Sequence, residues 1–133
     1  MKRILVLALL ATAGTAAAQS LGDTTSNGSP VAATTSGEQT YREICQACHM
    51  AEAEGGTGPG AAPALAANPR LADPDYVLTR ILRGRAGMPA FAELFTAEQT
   101  ADVANYVRTH FRNAYPGPVS VADVARLAPS PDS

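Results

Sequence analysis

Two cysteines and a histidine in the segment Cys45-Gln46-Ala47-Cys48-His49 constrain this chain more than any other feature. Two thiols three positions apart, with a histidine directly after the second, are typical of a covalent attachment site for c-type haem. The thiols add across the two porphyrin vinyl groups and become thioethers. The histidine is then held beneath the iron, where its imidazole serves as the proximal ligand. The sequence therefore predicts haem c bound through Cys45, Cys48 and His49.

A catalytic dithiol or a short disulfide is the alternative interpretation of the cysteine pair. The chain has two cysteines in total, and the histidine directly after Cys48 favours haem attachment. In an oxidising compartment two free cysteines tend to form a disulfide. Thioether formation consumes both thiols instead, which accounts for an even count with none left over.

The first 18 residues have the composition of a secretory signal peptide. Lys2 and Arg3 form a positive region, residues 4–10 are continuously apolar, and a run of alanines ends at Ala18. An uncleaved anchor is the alternative, but residues 4–18 are short for a membrane span of about 20 apolar residues. We therefore expect cleavage of residues 1–18, a periplasmic location and no stable insertion into a membrane.

The charge of the mature chain argues against nucleic acid as a partner. Without Lys2 and Arg3 the chain has eight arginines and twelve acidic residues, a net charge of −4 with histidine neutral. Lys2 is the only lysine in the chain, so every mature side-chain cation is an arginine. No basic patch of the kind that binds nucleic acid is visible in the sequence.

Residues 19–35 are rich in Ser, Thr, Gly and Ala without apolar periodicity, which predicts a flexible leader. Apolar residues then recur at helical spacing in several segments. Helices are predicted over residues 37–48, 74–83, 97–111 and 121–127. The glycines and prolines of residues 55–69 predict a loop between the first two helices.

Capping residues mark where the predicted helices begin. Ser36 with Gln39 and Thr96 with Gln99 each have the spacing of a capping box. Asp73 precedes a first-turn proline, a combination that is typical of a helix start.

Met88 is the candidate for the second axial iron ligand. Besides Met88 the mature chain has only Met50, which directly follows His49 and cannot reach the opposite haem face. Met88 lies far downstream in a Gly-Met-Pro loop, and a thioether ligand raises the reduction potential relative to bis-histidine ligation. A loop methionine that fills an apolar gap is the alternative. His110, in the apolar stripe of the third predicted helix, is the less favoured ligand.

Three arginines, Arg80, Arg83 and Arg85, precede Met88 along the chain. A guanidinium group matches carboxylate geometry, so Arg83 and Arg85 are candidates to bind a haem propionate. A solvated helix end is the alternative interpretation of the same residues.

Several segments together resemble a class I c-type cytochrome of the bacterial periplasmic type. Gly37, Tyr41 and Cys45 are spaced as in the first helix of that family. Residues 102–106 (Asp-Val-Ala-Asn-Tyr) resemble the last-helix segment that packs against it. The likeness extends over about residues 37–115.

Two loop segments add to the resemblance. Pro63-Ala64-Leu65 is similar to the family's Pro-x-Leu, whose proline carbonyl accepts the proton of the proximal histidine, so the resemblance assigns that role to Pro63. Residues 87–91 (Gly-Met-Pro-Ala-Phe) resemble the family's axial-methionine loop.

The resemblance implies an all-α, cytochrome c-like fold of three to four helices around one covalently bound haem. It implies a cytochrome c domain at residues 36–115 and a C-terminal extension at 116–133. Residues 119–124 look like the extension of cytochromes that are paired with periplasmic dehydrogenases. The chain lacks the lysine ring of the mitochondrial type, so docking through lysines is not expected.

The expected function is electron transport rather than enzyme catalysis. The resemblance implies a periplasmic dehydrogenase as the electron donor and a terminal oxidase or another cytochrome as the acceptor. Two alternatives stay open: a haem subunit bound permanently in a dehydrogenase complex, and a haem enzyme or gas sensor with an open sixth site. The second alternative requires that Met88 does not bind the iron.

Overall fold

The computed structural model describes residues 36–130, and the predicted signal peptide (1–18) and leader (19–35) lie outside the described residues. The N-terminal helix consists of α1 (Gly37–Thr40), a π-helical segment (Tyr41–Cys45) and α2 (Gln46–His49). A 3₁₀ helix (Pro69–Ala72), α3 (Pro74–Arg83), α4 (Ala97–Thr109) and α5 (Val121–Leu127) follow. Within the described range there is no β-strand, and the predicted all-α fold is confirmed.

Side-chain caps start the helices, as the sequence predicts. Thr96 and Gln99 form a complete capping box, with both hydrogen bonds present at 3.2 and 2.9 Å. Ser36 accepts the N–H of Gln39 at 3.2 Å, but the Gln39 side chain donates to Glu43 at 2.9 Å. The first helix is therefore capped by Ser36, while Gln39 bonds along the helix.

The fourth α-helix ends before the predicted Phe111. Its last residue is Thr109, and Phe111 and Arg112 adopt left-handed backbone with φ of 55° and 64°. This reversal turns the Phe111 ring back onto Tyr41, with ring centroids 4.7 Å apart. The prediction that His110 lies in the apolar stripe of α4 is wrong, because His110 lies beyond the helix and is exposed.

The N-terminal helix and α4 cross in direct backbone contact. A Cβ atom at Gly37 would collide with the carbonyl oxygen of Asp102, so only glycine permits this approach. One turn later Tyr41 is 1% exposed, and its ring lies 5.8 Å from the Tyr106 ring. The glycine and the aromatic residues at this spacing bring the two ends of the domain together.

Residues 116–130 pack onto the rest of the domain. The Asn105 side chain of α4 donates to the carbonyl oxygen of Val119 at 2.9 Å and accepts its N–H at 2.7 Å. Val119 and Val124 are buried. Arg126 of α5 forms a two-pronged ion pair with Asp75 of α3, at 2.7 and 3.0 Å.

A buried arginine joins the C-terminal segment to the loop before α3. Arg108 is 2% exposed, and its guanidinium donates to the carbonyl oxygens of Leu71 and Pro116, each at 3.0 Å. It also donates to the carbonyl oxygen of Gly117. Since a buried guanidinium must have its donors satisfied, these carbonyl groups fix the path of both segments.

Candidate haem site

The π-helical segment delivers the two cysteines and the histidine. The N–H of Gln46 bonds to the carbonyl oxygen of Tyr41, five residues back, which widens the helix by one residue at this turn. Cys45 ends the wide turn and packs half-buried against the hydrophobic core. Cys48 is exposed. The helix ends at His49, because Met50 adopts left-handed backbone with φ of 67°.

His49 is buried and its ring orientation is fixed by one hydrogen bond. Its exposed fraction is 7%, and Nδ1 lies 2.9 Å from the carbonyl oxygen of Pro63. A carbonyl group only accepts, so Nδ1 carries the proton in this pairing. The neutral imidazole then has its lone pair on Nε2, where it can bind a metal. The structure thus brings together His49 and the proline that the resemblance assigns to it.

The surroundings of Cys45 differ from those of the reactive cysteine of a catalytic dithiol. Both are free thiols. Burial, with a smaller effect of the nearby Cys48, raises the pKa of the Cys45 thiol to about 11. Redox-active Cys-x-x-Cys sites instead have a thiol of lowered pKa that is ionised near neutral pH. A protonated, half-buried Cys45 argues against the dithiol oxidoreductase alternative.

Met88 lies at the end of a tight turn after α3. Arg85 and Met88 exchange two backbone hydrogen bonds, each 3.0 Å long. Gly84, with φ of 65°, packs so closely that a Cβ atom there would collide with the Met88 carbonyl oxygen. The Met88 side chain is half-buried and packs against the hydrophobic core. This turn holds the methionine backbone rigidly.

The arginines before Met88 differ in their surroundings. Arg83 and Arg85 are exposed, and Arg83 Nη2 lies 3.5 Å from the carbonyl oxygen of Leu127. Arg80 stacks over the Tyr76 ring, with Cζ 5.0 Å from the centroid. The Nε atom of Arg80 is buried and has no hydrogen-bond partner among the described residues. Hydrogen bonds from Arg70 and then Arg80 lower the pKa of Tyr76 below its ordinary value.

Two side chains that hold the segments next to His49 and Pro63 were not among the site residues predicted from the sequence. The Tyr41 hydroxyl donates to the carbonyl oxygen of Met50 at 2.7 Å. The Asn113 amide donates to the carbonyl oxygen of Leu65 at 2.9 Å. An aromatic residue in an apolar stripe is read as core, and a polar residue after a helix is read as solvated. Neither pattern indicates these hydrogen bonds.

The donor set fits haem better than a bare metal ion. No group of three or more His, Cys, Asp or Glu side chains within residues 36–130 could hold a metal. A porphyrin brings its own four nitrogen ligands, so the protein needs to supply only axial donors and attachment points. His49 and the two free thiols provide these beside one another on the same helix.

The helices of the described residues are all too short or too polar to cross a membrane.

A family model described as cytochrome C oxidase, cbb3-type, subunit III matches residues 32–107. The chain is also similar to the cytochrome c subunit of alcohol dehydrogenase (quinone) from Gluconacetobacter polyoxogenes. The two are 33% identical over 104 residues, which is 68% of this chain and 22% of the relative. The subunit of the same name from Gluconobacter oxydans is 30% identical over 105 residues, covering 68% and 21% of the two chains.

Cytochrome c6 from Rippkaea orientalis is 49% identical over 37 residues, which is 28% of this chain and 33% of the relative. The chain thus spans about a fifth of the length of the dehydrogenase subunits that it matches. The family model covers more than half of the chain and ends within α4. This chain therefore belongs to the c-type cytochromes, haem proteins that transfer electrons.

Proposed function

We propose that this chain is a periplasmic electron carrier with one covalently attached haem c per chain. Cys45 and Cys48 would form the thioethers, and His49 and Met88 would be the axial ligands. The observation that carries the proposal is the buried His49 imidazole, protonated at Nδ1 against Pro63 and placed directly after two free thiols. The bound haem would supply one-electron exchange between ferrous and ferric iron.

The protein residues would set the conditions of that exchange. The Pro63 carbonyl fixes the tautomer of His49 and increases the basicity of the ligating nitrogen. The turn from Gly84 to Met88 fixes the backbone of the second ligand. If the fold holds both ligands in the same positions in the ferrous and ferric states, little reorganisation would accompany the transfer.

An arginine is proposed to bind a haem propionate. Arg83 and Arg85 remain candidates, although both are exposed and Arg83 reaches towards α5. Arg80 is a further candidate, because a buried Nε–H without an acceptor among the described residues suits a carboxylate. Replacement of Arg80 by leucine is expected to lower the potential more than the matched replacement of Arg83.

We propose a dehydrogenase as the electron donor and a terminal oxidase or another cytochrome as the acceptor. The relatives named as cytochrome c subunits of alcohol dehydrogenase (quinone) support a donor of this class. The signal-peptide features of residues 1–18 support export to the periplasm. We further propose the division into a haem domain at 36–115 and an extension at 116–133.

The test is the visible spectrum of protein matured with the c-haem machinery, oxidised and then reduced with dithionite. Sharp α and β bands on reduction are expected, with a sulfur-to-iron band in the oxidised protein. Met88→Leu is expected to abolish that band, and the matched Met50→Leu to retain it. Replacement of both Cys45 and Cys48 by serine is expected to leave no haem after acid-acetone extraction.

Two outcomes would favour an alternative function, and a third would contradict the assignment of Met88. A high-spin spectrum that binds carbon monoxide readily at neutral pH would favour the haem enzyme or gas sensor with an open sixth site. Stable co-purification with a dehydrogenase would favour the permanently bound subunit, which the names of the relatives also suggest. Retention of the sulfur-to-iron band in Met88→Leu would contradict the assignment of the second ligand.

A further inference from the structure

Tyr41 is hydrogen-bonded to the middle of the haem-attachment motif and to the residue directly after it. Its carbonyl oxygen accepts the N–H of Gln46, which lies between the two cysteines. Its hydroxyl donates a 2.7 Å hydrogen bond to the carbonyl oxygen of Met50, which directly follows His49. Tyr41 is 1% exposed, while Met50 is exposed, so the hydrogen bond between them lies at the edge of the core.

The hydrogen bond to Met50 continues towards Pro63. The Met50 carbonyl oxygen also accepts the N–H of Ala53 at 3.2 Å. The Ala53 carbonyl oxygen in turn accepts the N–H of Leu65 at 2.8 Å, and Ala53 is fully buried. A chain of hydrogen bonds therefore links the Tyr41 hydroxyl to the segment that carries the acceptor of His49.

The turn after His49 needs this support. Met50 and Ala53 both adopt left-handed backbone, with φ of 67° and 57°. Residues other than glycine are strained in this backbone conformation, and such turns persist only where the surrounding contacts hold them. The Tyr41 hydroxyl is the side-chain contact that holds the Met50 carbonyl in this turn.

We propose that Tyr41 is a positioning residue that sets the strength of the hydrogen bond from His49 Nδ1 to Pro63, and thereby the reduction potential of the bound haem. The inference rests on the proposed function above, in which His49 ligates the iron. A stronger Nδ1–H···O bond makes the imidazole a better electron donor, which stabilises the ferric state. Loss of the Tyr41 hydroxyl therefore weakens this donation and raises the potential.

The experiment compares two tyrosine-to-phenylalanine variants of the haem-loaded full chain. Tyr41→Phe keeps the ring that packs on Phe111 and removes the hydroxyl. Tyr106→Phe is the matched control, because it removes a hydroxyl from the same aromatic cluster and leaves Met50 untouched. The readouts are the midpoint potential and the exchange rate of the His49 Nδ1 proton, observed by NMR in the reduced protein.

Tyr41→Phe is expected to raise the potential and to accelerate exchange of the His49 proton roughly fivefold, the factor that corresponds to the net free energy of one hydrogen bond. Tyr106→Phe is expected to change neither quantity. Unchanged values in folded Tyr41→Phe, or equal shifts in both variants, would overturn the inference. A wild-type protein without covalent low-spin haem would instead overturn the proposed function, which its spectrum reports before any variant is made.

A second measurement covers the case in which Tyr41→Phe does not fold. Site-specific incorporation of 3-fluorotyrosine at position 41 in the Tyr106→Phe background makes the Tyr41 phenol a stronger hydrogen-bond donor, keeps the ring and leaves Tyr76 and Tyr115 unlabelled. The potential is then expected to fall below that of the unlabelled Tyr106→Phe protein. An unchanged or higher potential would overturn the inference.

Discussion

His49 Nδ1 and the carbonyl oxygen of Pro63 lie 2.9 Å apart, across the glycine-rich loop that separates them in sequence. The segment after Pro63 is held in turn by Asn113, whose amide donates to the carbonyl oxygens of Leu65 at 2.9 Å and Val107 at 2.8 Å. A side chain beyond the end of α4 therefore holds the segment that carries the hydrogen-bond acceptor of His49.

Replacement of Asn113 by alanine is expected to lower the free energy of unfolding by about 3 kcal/mol. Asn113 is buried and also accepts the N–H of Asn68, so three polar groups lose a partner at about 1 kcal/mol each. Urea denaturation of wild type and variant under the same conditions gives the difference. A loss below about 0.5 kcal/mol, the range of surface substitutions, would contradict this role.

Gly84→Ala is expected to displace Met88. The new Cβ atom would collide with the Met88 carbonyl oxygen, and the left-handed backbone at Gly84 disfavours alanine. We expect a loss of about 2 kcal/mol or more in stability and a weaker sulfur-to-iron band in the haem-loaded protein.

Gly87→Ala is the control for Gly84→Ala, because it lies in the same turn and its Cβ atom would meet nothing within 4 Å. It is expected to change stability by less than about 0.5 kcal/mol and to keep the band. Equal effects of the two substitutions would show that the turn does not depend on the close approach at Gly84.

The ion pair between Arg126 and Asp75 contributes a stability to the packing of α5 on α3 that is lost at acidic pH. The hydrogen bond from Arg126 lowers the pKa of Asp75 below its ordinary 3.8. A carboxyl group whose pKa is lowered on folding contributes stability above its unfolded pKa, and the contribution disappears as pH falls through the folded value. Thermal unfolding of wild type and Arg126→Gln from pH 7 to pH 2 measures this contribution together with that of Asp123, which lies 3.6 Å from Arg126.

The difference in melting temperature between wild type and Arg126→Gln is expected to be constant above about pH 5 and to vanish below the lowered pKa. Both side chains are about half exposed, so the difference is expected to be small and to shrink at high salt. A difference that persisted unchanged at pH 2 would attribute the effect to packing of Arg126 instead.

Thr40→Val is expected to stabilise the protein by about 1 kcal/mol. The Thr40 side chain is 3% exposed, and its buried hydroxyl has no hydrogen-bond partner among the described residues. Valine has the same shape without the desolvated hydroxyl. Thr100→Val is the matched comparison, because the equally buried Thr100 hydroxyl donates to the carbonyl oxygen of Thr96 at 3.0 Å.

Chemical denaturation is expected to rank Thr40→Val above wild type and Thr100→Val below it. A lower stability for Thr40→Val would mean that its hydroxyl has a partner in the folded protein.

Local chemistry made most of the helix boundaries predictable. Asp73 and Thr96 cap their helices through their own side chains, and Gly84 ends α3. Each of these boundaries therefore depends on residues within a few positions of it in the sequence. The end of α4 was mispredicted, because His110 and Phe111 continue the apolar periodicity. Periodicity does not reveal that Phe111 leaves the helix to pack on Tyr41.

In the candidate site, too, some features were predictable from the sequence and others were not. The spacing of the cysteines and His49 is local and visible in the sequence. The π-helical turn and the Tyr41 hydroxyl bond are also local, but no residue pattern indicates them. Outside the site, the bond from Arg108 to the carbonyl oxygen of Leu71 joins residues distant in sequence. An arginine in a helix is ordinarily solvated, so its sequence context gives no sign that Arg108 is buried.

The contact between Gly37 and Asp102 also bears on how the domain folds. This contact joins the first helix to α4. It closes a long loop that contains the haem-attachment motif, the 3₁₀ helix and α3. Closing a long loop lowers the chain entropy before the contact has formed to offset this cost. Domains rich in such contacts therefore fold more slowly. A prosthetic group held by both His49 and Met88 would join two separated points of that loop and shorten its effective length, so binding of both ligands would accelerate the meeting of the two helices.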